Sequence, residues 1–268
     1  MKRLKILFLF LIAATLLTGC FKVETTVKIN KDGSGKIFQT VMMSKMFVEM
    51  ISQFAGSFGD SSSTEEFSFF DEEKFIESAK EFGGGVQYVD GEYVSEDGWE
   101  GFRAEYTFDD LNKIRLEPEP DDKVSIGMGE QDIEEEDTEY YFFKFIKGDV
   151  AEVIIDRPEI EKDIDAEETE VEENNDEFNE VFLKMMEGMR IDIVLEFEGE
   201  IVETNATHVE GLKVTLLAMD FGEIVKNKET LEMLKKSQPD EIEDLEAFVE
   251  KIPGMKLELK KPVSVKFK

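Results

Sequence analysis

The run Leu17-Thr18-Gly19-Cys20 constrains this chain more than any other, because it holds the only cysteine and closes an export-type N-terminus. Lys2, Arg3 and Lys5 come first, and an apolar stretch from Ile6 to Leu17 follows. A charged start, an apolar core of about 7–15 residues and small residues at a cut site describe an export signal, too short to span a bilayer permanently. Residues 1–19 are therefore expected to be a signal peptide outside the fold. One cysteine allows no intramolecular disulfide, so the rest of the chain has to be held by packing alone. From Cys20 to Lys268 the length suits one large domain or two small ones.

Loss of Lys2, Arg3 and Lys5 takes the formal net charge from −32 to −35. Such an excess excludes electrostatic binding to nucleic acid, which needs cations to replace phosphate counterions. It also repels an anionic bilayer surface, within a screening distance of about 8–10 Å. Membrane attachment therefore has to come from an anchor. The acidity itself reads as solubility.

Strand structure is expected at once. Phe21, Val23, Thr25, Val27 and Ile29 alternate with Lys22, Glu24, Thr26 and Lys28, the period of a half-buried strand. Asn30-Lys31-Asp32-Gly33-Ser34-Gly35 is rich in turn formers and predicts a return strand over Lys36–Met42. No flexible tether is left between Cys20 and the fold. Ser44 then caps a predicted helix with Met46, Phe47, Met50, Ile51, Phe54, Ala55 and Phe58 on its apolar stripe. A second helix is expected over Asp71–Phe82, stopped by Gly83-Gly84-Gly85. Short strands follow, with turns at Asp90-Gly91 and Asp97-Gly98 and with Gly148-Asp149 joining a hairpin.

Residues 117–139 and 157–176 are dominated by acids. Twelve acids and one Lys lie between Glu159 and Glu180, too polar a stretch to offset chain entropy by burial. Beyond them a helix carries Phe178, Val181, Phe182, Met185, Met186 and Met189. Strands are expected around Ile191–Phe197 and Leu212–Ala218, then a helical region over Phe221–Ile252 and two closing strands. The pattern predicts an α+β fold, mainly antiparallel sheet with four to five amphipathic helices and acidic loop insertions. Its expected divisions are 20–156, an acidic loop 157–176, and 177–268 packed with the first part.

Catalytic signatures are sparse. The single histidine, His208, sits beside Asn205-Ala206-Thr207 with no nucleophile near it, and no Gly-x-Ser-x-Gly element exists. Zinc spacings are missing, and an EF-hand register over residues 28–39 puts Lys28 at the first ligand position and Gln39 at the last. Gly83-Gly84-Gly85 lacks the Lys that a phosphate loop needs. With 63 acids, a carboxylate pair for hydrolysis can be drawn almost anywhere, so no particular pair is singled out. No metal or cofactor is expected. The apolar candidate is a methionine-rich surface of Met43, Met46, Phe47 and Met50, soft enough to fit an apolar ligand; ordinary core packing is its competing explanation.

Leu17-Thr18-Gly19-Cys20 resembles the lipobox of bacterial lipoproteins. That resemblance implies a diacylglycerol and a palmitate-type acyl chain on Cys20, cleavage before it, and an envelope protein held on the exported side of a membrane. Two further segments resemble the LppM-type domain of bacterial envelope lipoproteins. One is the strand after the cysteine with Asn30-Lys31-Asp32-Gly33-Ser34-Gly35; the other is Gly199-Glu200-Ile201-Val202-Glu203-Thr204-Asn205-Ala206 with Gly211 and the strand through Thr215. This resemblance implies an α+β envelope domain with no established catalytic residues and an apolar ligand. The expected function is that of a non-catalytic, membrane-anchored lipoprotein binding a partner protein or an apolar or lipid ligand. A carboxylate-dependent envelope hydrolase and a structural or assembly lipoprotein remain the alternatives.

Overall fold

The computed structural model describes residues 21–49, 72–118, 140–158, 188–236 and 245–268. Among these residues thirteen strands form two sheets. The large sheet has the order β10-β11-β8-β1-β2-β4-β3, with β12 also on β11, and the small sheet has the order β5-β6-β7-β13-β9. The chain before the second acidic segment supplies β1 (Phe21–Ile29), β2 (Gly35–Ser44), β3 (Gln87–Glu96), β4 (Trp99–Phe108), β5 (Arg115–Leu116), β6 (Tyr141–Ile146) and β7 (Ala151–Asp156). The chain after it supplies β8 (Arg190–Phe197), β9 (Ile201–Thr204), β10 (Val209–Glu210), β11 (Lys213–Asp220), β12 (Met255–Leu257) and β13 (Val263–Phe267). Both sheets therefore mix strands from both parts.

The alternation after Cys20 becomes β1 from its first residue. Phe21 already faces Met43 of β2, and the antiparallel register runs unbroken to Ile29 opposite Gly35. On its other side β1 pairs with β8 in parallel, which puts Val23 beside Ile191 and Val27 beside Leu195. The turn between β1 and β2 is closed by Asp32, whose Oδ1 accepts from both the backbone N–H and the hydroxyl of Ser34. Those two donors hold the Asp32 carboxyl below its ordinary range.

Asp97-Gly98 makes the expected two-residue hairpin turn, with positive φ at both residues. Asp90-Gly91 does not turn the chain. It lies inside β3, where the register slips between Tyr88 and Asp90. A Cβ on Gly91 would stand 2.3 Å from Phe102 and 2.5 Å from the Tyr88 hydroxyl, so glycine is there to let two rings approach the strand.

The core lies between the sheets. Val27, Ile29, Ile37, Leu195 and Phe197 of the large sheet meet Val153, Ile155, Val265 and Phe267 of the small one, all nearly sealed from solvent. Phe197 and Phe267 close the contact with ring centroids 5.0 Å apart. The large sheet's outer face is laced by ion pairs such as Lys36–Glu105 and Arg103–Glu92.

Helices play a smaller part than the α+β expectation gave them. Those described are α1 (Glu72–Ser78), α2 (Phe221–Lys226), α3 (Lys228–Lys236) and α4 (Leu245–Val249), with a helical stretch at 45–49 and a 3-10 turn at Leu111–Lys113. Sheets dominate because the apolar residues of this chain recur mostly every second position. The helix expected over Asp71–Phe82 gives way to turns after Ser78. Cys20, the rest of the helix predicted after Ser44, most of both acidic segments and residues 178–187 of the helix expected up to Met189 lie outside the described residues; Met189 itself is described and buried.

Candidate ligand cleft

The face of the large sheet that meets the core is apolar except at a few places. Register puts Thr25 opposite Gln39 on β2 and beside Ile193 on β8, while Ala104 flanks Gln39 on β4. Thr25 and Gln39 are 7% and 6% exposed, and neither side chain makes a hydrogen bond among the described residues. Neither has a polar atom that is both unpartnered and sealed from solvent, so the hydroxyl and the amide reach an opening in the sheet face.

Both line a cleft. Val23, Ile191 and Ile193 line it with them, as do Phe82, Leu116 and Pro118 and the acids Glu117 and Asp192. The cleft has room for about one water or one small polar group reaching Thr25 and Gln39, and it falls far short of a lipid chain. Tyr106, fully buried on the same face, also has a hydroxyl without a hydrogen-bond partner among the described residues. Burial, with Glu81 and Tyr88 nearby, raises its phenol well above the ordinary range.

The methionine surface expected from sequence is dispersed. Met43 is 1% exposed and Phe47 3%, whereas Met46 is 66% exposed. Consecutive residues of a strand point to opposite faces, so Met42 and Met43 fill the two sides of β2 and both are buried. Ser44 Oγ accepts from Phe47 N–H and starts the helical turn that tucks Phe47 inward. Met50 and Cys20 lie outside the described residues.

Carboxylates do not gather into a metal set: among the described residues no group of three His, Cys, Asp or Glu side chains is placed to hold an ion. Among the described residues the most deeply buried acid is Glu258, 1% exposed. Its oxygens accept from the N–H and hydroxyl of Thr207 and from the N–H of Lys260. Beside it Arg157 donates to the carbonyls of Leu259 and Pro158. Burial, aided by Glu258, pushes the Tyr141 phenol up to about 12 despite Arg157. This polar node fastens the segment before β13 to the loop after β9. His208 belongs to the same loop; its ring Nε2 lies 3.3 Å from the carbonyl of Leu257.

Sequence reasoning missed Thr25 and Gln39 as a pair. The signal available was polar residues at core-facing positions of β1 and β2, but only the register between the strands shows that they are neighbours.

No protein-family model matches this chain, and no curated protein matches it in sequence. Among solved structures, the chain bears a weak resemblance to the NMR structure of the folded domain of LppM from Mycobacterium tuberculosis. Identity is 9%, the TM-score is 0.32, and the alignment covers 94% of this chain and 91% of that one.

Proposed function

We propose that this chain is an exported lipoprotein, acylated at Cys20, whose two-sheet domain is held against a bacterial membrane as a non-catalytic binding module. The observation that carries the reading is the start of β1 at Phe21, the residue after the cysteine of Leu17-Thr18-Gly19-Cys20. A lipid on Cys20 would then leave no slack between bilayer and sheet, and whatever the domain binds lies close to the membrane surface. The partner is an envelope protein that meets the domain's surface, since the described core is filled by its own side chains.

A second reading, capture of a small ligand, is favoured by one observation only: the unpartnered Thr25 and Gln39 at the cleft. Fractionation of cells making the full chain or its Cys20→Ser variant tests the anchor. The reading expects the full chain in detergent-soluble membrane and the variant released; equal distribution of the two would sink it. Native mass spectrometry of the released variant separates the binding modes, because a bound small molecule adds its mass and a protein partner adds a far larger one.

A further inference from the structure

The strand register gathers a distinct set of side chains at the end of the large sheet where β1 begins. Phe21 faces Met43, Ser44 faces Trp99, and Lys22 faces Arg190. The backbone N–H of Lys45 donates to the carbonyl of Gly98, which fixes the 45–49 helical turn beside the β3–β4 hairpin. Met46, the first outward residue of that turn, is 66% exposed. Lys22 Nζ stands 4.0 Å over the ring of Trp99, the chain's only tryptophan. The backbone of Gly188 lies against the edge of the same ring, where a Cβ would come within 2.4 Å. Among the described residues neither Lys22 nor Lys45 pairs with a carboxylate.

From this arrangement we propose that the Phe21 end of the large sheet, with Met46, Trp99, Lys22 and Lys45, rests on the headgroup layer of a phospholipid bilayer. The inference builds on acylation of Cys20, which is the residue next to Phe21. Two further features identify the occupant. A tryptophan under a lysine, with an exposed methionine beside them, matches the amphipathic chemistry of the bilayer interface, where an aromatic ring sits at headgroup depth and cations reach phosphate. The charge at this end is mixed, because Glu49, Glu96 and Asp97 are exposed there too. Mixed charge fits zwitterionic headgroups, and in a chain of net charge −32 it is incompatible with pull toward a strongly anionic surface. The opposite end of the sheet then points away from the membrane, roughly 26 Å off by the nine-residue length of β1.

The single tryptophan makes the geometry measurable. The acylated full chain is placed in phosphatidylcholine vesicles whose headgroups carry a spin label, after its intact mass has shown the lipid on Cys20. Trp99 fluorescence is expected to fall by about half, as for a ring at the interface. A second protein, Trp99→Phe with Val150→Trp, moves the reporter to the exposed turn between β6 and β7. That turn is beside the far end of β1, because Phe145 packs on Gly33. Its fluorescence is expected to be unchanged. With the lipid mass present, an unquenched Trp99, or equal quenching at both positions, overturns the orientation and leaves the anchor standing. Without the lipid mass, the anchored reading falls and takes this inference with it.

Discussion

Replacing Gln39 by Leu is expected to make the protein more stable. Gln39 is 6% exposed, its amide has no partner among the described residues, and its neighbours on the sheet are Thr25 and Ala104. A sealed, unsatisfied amide would cost about 1–3 kcal/mol; the Gln39 amide is not fully sealed and bears only part of that, and a leucine of similar volume removes it while keeping the walls of the cleft in contact. The cleft has room for a water beside the amide, which returns part of the penalty. The expected gain is therefore near the lower end, about 1 kcal/mol, or roughly 2–4 °C in melting temperature for a chain of this size. Thr25→Val should act in the same direction. Urea unfolding followed by far-UV circular dichroism, with equal slopes for parent and variant, reads the change directly. A loss of stability of similar size would refute the reasoning, since it would mean that the amide is hydrogen-bonded in the folded protein.

Four other outcomes follow from the same structure. Phe197→Ala and Phe267→Ala should each cost about 3–5 kcal/mol, and their double-mutant cycle should show a coupling of about 0.5–1.5 kcal/mol; additive losses would mean that the rings do not touch. Gly91→Ala should cost about 1–3 kcal/mol in thermal unfolding, because its new methyl collides with the Phe102 ring. Glu258→Ala should lose about 3–5 kcal/mol by stranding the Thr207 and Lys260 donors, and a neutral result would remove the polar node from the account. Tyr141 has a folded-state pKa of about 12, above the unfolded value of about 10, so its proton is held more tightly by the native state. Its stabilisation is therefore complete below pH 10 and lost as pH rises toward 12. Alkaline unfolding of Tyr141→Phe should start at higher pH than that of the parent, and coincident curves would contradict the assignment.

Much of the sheet architecture was legible along the chain. The alternation from Phe21 to Ile29, the turn at Asn30–Gly35 and the hairpin at Gly148-Asp149 are local signals, and the strands form where those signals stand. Pairing between distant segments was not legible. Nothing near Phe21 announces β8 as its parallel neighbour some 170 residues on, because that choice depends on which apolar faces fill the space between two sheets. Gly91 misled for a related reason: Asp-Gly favours a turn locally, but packing of Phe102 and Tyr88 used the missing side chain instead. Of the expected methionine surface, Met43 and Phe47 are buried and Met46 is exposed, while Met50 lies outside the described residues; which residues of a strand and a following helical turn share a face depends on how the turn packs. The cleft was invisible because Thr25 and Gln39 meet only through register.

The most direct measurement is the intact mass of the protein extracted from bacterial membranes in detergent. The account predicts a chain running from Cys20 to Lys268 with a diacylglyceryl group on the cysteine, absent from the Cys20→Ser variant. An unmodified chain, or one cut elsewhere and recovered in the soluble fraction, would contradict it.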